Sequence, residues 1–123
     1  MVMSSRPVLS PSDAHPITVA RTGQRVVVRH GDRVVADTQD SLTLQEASYP
    51  PVLYVPRKDV DLALLERTEH QTYCPYKGDA AYFSLPGTPN AIWTYEAPHA
   101  AVAEIQDHVA FYPQHVEIEI AAA

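Results

Sequence analysis

Proline recurs too often in this chain for long helices to form. There are 11 prolines among 123 residues, against 4 glycines; ordinary usage is about 5% proline and about 7% glycine. Inside a helix a proline removes a backbone donor, and its ring clashes with the preceding turn. Between the breaks lie short runs rich in β-branched residues. Residues 25–29 and 33–37 flank His30, Gly31 and Asp32, and two valine-rich arms around a glycine-bearing turn predict a β-hairpin. Leu42, Leu44 and Glu46 alternate with Thr43 and Gln45, so all three fall on one face of a strand. Further short strands are expected near 17–20, 52–55, 69–73, 80–85, 91–95, 108–112 and 116–120. Asp59 stands where a helix N-cap belongs and leucines follow at helical spacing, which predicts one short helix over 59–66. Pro98 opens a shorter helical turn through Val102 and Ile105. The fold class is therefore all-β: a single domain of two antiparallel sheets with one short helix.

The length suits one domain, with residues 1–15 as a flexible arm and 16–120 as the folded unit. The arm holds Pro7, Pro11 and four serines and has no hydrophobic period. The net charge of −6 repels phosphate backbones, so no nucleic-acid partner is expected. Arg21, Arg25, Arg29 and Arg33 fall on strand edges and a turn and read as solvated residues, not as a basic face. Cys74 stands alone, which rules out an intrachain disulfide or a cysteine-rich zinc site and suits a reducing compartment. The first residues lack the apolar core of a signal peptide, and no run approaches the ~18 apolar residues of a membrane span. A soluble cytoplasmic protein with no membrane partner is expected. Unpaired strand edges permit a homodimer.

The succession of segments resembles a known family. Arg33-Val34-Val35-Ala36-Asp37-Thr38 is followed by Leu44-Gln45-Glu46, and Tyr49-Pro50-Pro51-Val52-Leu53-Tyr54-Val55-Pro56 leads into Asp59-Val60. Cys74-Pro75-Tyr76-Lys77-Gly78, Trp93-Thr94-Tyr95 and Val109-Ala110-Phe111-Tyr112 complete it. From about residue 16 to 116 this pattern is similar to domain-of-unknown-function family 427, small proteins common in bacteria. The resemblance implies a tent-like all-β fold in which two small antiparallel sheets meet at an angle, as in B-type methionine sulfoxide reductases and the ligand-binding domain of cereblon. Many such domains hold zinc on four cysteines, and a single cysteine cannot supply that site. The family sometimes carries a nucleotidyltransferase label. Nucleotidyltransferases generally use a glycine-containing phosphate loop and carboxylates that hold divalent metal. Here there is no Gly-x-Gly run, and Asp59-Val60-Asp61 sits at a helix start, where capping accounts for it.

The residues that carry chemistry are few. Glu46 lies on the apolar side of its strand, and an inward carboxylate needs a partner, for which Lys77 or an arginine is the candidate. Lys77 stands three residues from Cys74, close enough to favour a thiolate, yet no second cysteine is present to resolve a disulfide. As a turn, the same segment places Pro75 and Gly78 where a reversal needs them. His70 and Cys74 are four apart, about 13 Å in an extended strand, too far to share one metal ion. Trp93 and Tyr95 share a strand face, as do Tyr82 and Ser84 on the strand before. Such rings build a core or the floor of a pocket. Three functional classes fit. The first is a small-molecule-binding domain, with Tyr54, Tyr82, Trp93 and Tyr95 as an aromatic pocket and Glu46 and Lys77 as its polar anchor. The second is an enzyme working through Cys74 or the Glu46/Lys77 pair, and the third a protein-interaction module without a ligand. No metal or cofactor is expected.

Overall fold

The computed structural model describes residues 6–121. Among them the chain forms β1 (Ile17–Arg21), β2 (Val26–His30), β3 (Arg33–Thr38), β4 (Leu42–Glu46), β5 (Val52–Pro56), β6 (Glu66–Cys74), β7 (Gly78–Leu85), β8 (Thr88–Tyr95), β9 (His108–Phe111) and β10 (Glu117–Ile120). All pairings are antiparallel. Seven strands make one sheet in the order β1-β4-β5-β9-β8-β7-β6, and β10-β2-β3 make a second. The fold is thus all-β with two antiparallel sheets, not closed into a barrel.

The expected hairpin joins β2 to β3, with Gly31 at φ 61 in its two-residue turn. That backbone conformation costs an ordinary L-residue roughly 1–2 kcal/mol and glycine almost nothing. The helical element near 59–66 is present as two single 3-10 turns, Arg57–Asp59 and Leu62–Leu64. Between them Val60 bridges to Ala36, and the Asp61 amide donates to the Val35 carbonyl, so β3 holds the chain extended where an α-helix would continue. The cap is consequently Asp61, whose carboxylate accepts from the Ala63 amide, while Asp59 accepts from Thr38 Oγ1 at 2.7 Å. The turn after Pro98 is the 3-10 segment Ala100–Ile105, which buries Val102 and Ile105 completely.

Period-two alternation divides the core. On one face of the large sheet, Val55, Ile92, Val109 and Phe111 pack with Val26, Val28, Val35 and Ala36 of the small sheet. On the opposite face, their strand neighbours Tyr54, Ala110 and Tyr112 join Leu44, Ala80, Tyr82, Trp93 and Tyr95. The small sheet covers the first face. The second is covered only in part, by Val102 and Ile105. Burying each of these aliphatic side chains contributes roughly 1.5–3 kcal/mol. No helix among the described residues is long and apolar enough to cross a membrane.

Candidate functional site

The partly covered face holds a cavity of about 250 Å³. It exists because of the register. Tyr82 faces Trp93, Tyr95 faces Ala80, and Trp93 faces Ala110 on its other side. Large rings beside alanines leave space that no side chain fills. Glu46, Tyr54, Lys77, Tyr82, Trp93 and Tyr95 all line it, together with Leu44, Val52 and Tyr112, and Tyr49 and Pro50 form the rim. Of the residues singled out from sequence, only Cys74 is set back from the wall. Its Sγ lies 3.7 Å from Lys77 Nζ.

Lys77 is aimed inward by a tight reversal. Its amide donates to the Cys74 carbonyl, and its own carbonyl accepts from the His99 amide. Gly78 follows at φ +113, and a β-carbon there would meet the Ala97 carbonyl oxygen at 3.3 Å. Only glycine fits both the dihedral and the approach of that loop. Lys77 is 8% exposed, and its ammonium forms a buried salt bridge with Glu46 Oε1. Glu46 Oε2 takes His15 Nε2 at 2.8 Å. A carboxylate only accepts, so that ring nitrogen carries the proton. Burial pushes the Glu46 carboxyl up, but the hydrogen bonds and charges of Lys77 and His15 outweigh it and hold the group below the usual carboxylate value.

The rings form a connected cluster. Trp93 meets Tyr54 edge-on, with its indole N–H donating to the Tyr54 hydroxyl at 3.3 Å, and lies 4.5 Å from the Tyr112 ring. Tyr82 shares a hydrogen bond with Thr72 Oγ1. Tyr95, 7% exposed, has no hydrogen-bond partner for its hydroxyl among the described residues. Burial raises the phenols of Tyr54 and Tyr95 far above the usual tyrosine value, and burial with the neighbouring Tyr82 pushes Tyr112 up to about 12. All three are neutral O–H groups at pH 7. They can donate or accept hydrogen bonds but cannot serve as bases.

Sequence reasoning missed His15 and Tyr112. His15 falls in the segment assigned to an arm, of which residues 1–5 lie outside the described residues. Residues 6–15 run along β6 and its turn. Leu9 donates to the Pro75 carbonyl, Tyr73 donates to the Pro7 carbonyl, and Arg6 pairs with Asp79. His15 stacks on Tyr76 at 4.2 Å. A proline-broken segment has no period from which such an inward residue could be read. Tyr112 carried a signal that went unused, since it alternates with Phe111 just as Trp93 alternates with Ile92.

His70 packs against Tyr82, and no group of three or more His, Cys, Asp or Glu among the described residues is placed to hold a metal ion. Arg21, Arg25 and Arg29 pair with Asp40, Asp37 and Glu119 at the surface. A second depression, an apolar groove of about 540 Å³, lies beyond Pro50 and Val52 and is floored by Leu53, Phe111 and Ile118.

No curated protein matches the chain. A match to a family described as a domain of unknown function, DUF427, spans residues 18–122 and so takes in nearly all of the sheet framework and every cavity-lining residue named above. The chain belongs to the DUF427 family.

Proposed function

We propose that this domain binds a small molecule in the aromatic cavity, with Glu46 and Lys77 orienting its polar atoms. One observation carries the proposal: a buried ion pair and a cluster of aromatic rings line the same unfilled space. Ligand sites combine these features, with mostly apolar walls for affinity and a few convergent polar groups for orientation. A charged pair kept at a cavity wall, where apolar side chains would cost less to bury, also fits a binding role better than a purely structural one.

The test is a thermal-shift screen of the protein against metabolites and nucleotides, with Lys77→Met in parallel. A ligand at a hundred times its dissociation constant adds about 2.7 kcal/mol, which in a domain of this size raises the midpoint by about 10 °C. The expected result is a stabilising compound whose effect is lost in Lys77→Met. No shift across a broad library would overturn the proposal. The enzyme reading draws on the 3.7 Å approach of Lys77 Nζ to Cys74 Sγ, and rapid alkylation of Cys74, slowed in Lys77→Met, would favour it. The interaction reading draws on the apolar groove beyond Pro50.

A further inference from the structure

We infer that the cavity takes a planar ring through a carbonyl or carboxylate oxygen and rejects a cationic ring. The inference rests on the ligand-binding reading above and comes from counting free donors and acceptors at the wall.

The donors are in excess. The Lys77 ammonium has three N–H groups. One goes to Glu46 and one lies toward Cys74 Sγ, which leaves one unspent. The Tyr54 hydroxyl already accepts from Trp93, so it has its own hydrogen to give. Tyr95, which lines the cavity, is 7% exposed as a residue, and its hydroxyl has no hydrogen-bond partner among the described residues. Both phenols stay protonated at neutral pH because burial raises them.

The one anionic acceptor at the wall is already engaged on both oxygens. Glu46 Oε1 holds Lys77 and Oε2 holds His15. The Tyr82 hydroxyl is engaged with Thr72 and with the Tyr112 hydroxyl beside it. Aromatic rings beside a carboxylate would ordinarily suit a cation. Here that carboxylate is already neutralised, and an incoming ammonium would face the ammonium of Lys77. An sp² oxygen conjugated to a flat ring meets the opposite condition. Its lone pairs find Lys77 and Tyr95, and its ring finds Trp93.

Trp93 is the single tryptophan, so the ¹H–¹⁵N spectrum of the intact chain contains one indole N–H signal, and its partner is the Tyr54 hydroxyl at the cavity wall. The experiment titrates benzoate, benzamide and phenyltrimethylammonium into ¹⁵N-labelled protein and follows that signal. Benzoate and benzamide are expected to shift it saturably and phenyltrimethylammonium to leave it in place. The two active arms tell an anionic acceptor from a neutral one. Tyr95→Phe removes one hydroxyl that nothing else in the fold uses, and it is expected to weaken the responding ligand roughly fivefold, the worth of one hydrogen bond. A shift by phenyltrimethylammonium alone would overturn the acceptor assignment while leaving the ligand-binding reading standing. Unchanged affinity in Tyr95→Phe would also overturn it. No response to any of the three at millimolar concentration would overturn the binding reading and this inference with it.

Discussion

Replacing Lys77 with methionine removes the ammonium and keeps most of the side-chain volume. The Lys77 side chain is 10% exposed and that of Glu46 17%, so water can restore little of what Glu46 loses. Removing one member of a buried pair typically costs about 3–5 kcal/mol. His15 remains on Oε2 and some solvent reaches the carboxylate, which puts the cost at the lower end, about 3 kcal/mol. For a chain of this length that lowers the melting temperature by about 12 °C. Glu46→Leu strands the ammonium and is expected to cost a similar amount. The double variant leaves no buried charge unpaired, only the part-exposed His15 ring without its carboxylate, and apolar replacement of a buried pair is often close to neutral, so it is expected to be more stable than either single variant. Urea and thermal unfolding of the four proteins closes a double-mutant cycle, with an expected coupling of about 3 kcal/mol or more. Two single effects that simply add in the double variant would show that the groups do not stabilise each other, and the reasoning about an anchor would fail.

Further outcomes follow from the same geometry. Because Glu46 is held below its usual value, its contribution to stability is full above the unfolded value of about 4.3 and is lost as pH falls through the lower folded value. Glu46→Gln is expected to flatten that acid limb in a pH series of melting curves, and an unchanged limb would contradict the assignment. Gly78→Ala must force a β-carbon into a positive-φ position beside the Ala97 carbonyl, and a loss of about 1–3 kcal/mol in urea unfolding is expected. Ile92→Ala opens a hole between the two sheets at a fully buried position, with an expected loss of about 2–5 kcal/mol.

The parts of this fold that could be read from sequence are those set by local periodicity. Alternation put Glu46 with Leu42 and Leu44 and put Trp93 with Tyr95, and the turn chemistry of Pro75 and Gly78 marked the reversal that aims Lys77. The cost of burying a carboxylate alone called for a cation beside Glu46 and left Lys77 or an arginine as candidates, of which Lys77 is the one found there. Two things were not legible. The order that sets β9 between β5 and β8 depends on pairings across long separations, and no local pattern encodes them. The helical pattern of 59–66 yielded to tertiary bonds, because the links from β3 to Val60 and Asp61 hold two separate turns apart. His15 belongs to the same class, being positioned by contacts with Glu46 and Tyr76 and not by its own neighbours in sequence.

The most direct measurement is a crystal structure of the protein with the tightest compound from the thermal-shift screen. The expected density lies between the Trp93 ring and Lys77 Nζ, with a ligand oxygen within hydrogen-bond distance of the ammonium and of the Tyr95 hydroxyl. Density instead in the apolar groove beyond Pro50, with the Lys77–Glu46 pair untouched, would contradict the assignment of the aromatic cavity as the functional site.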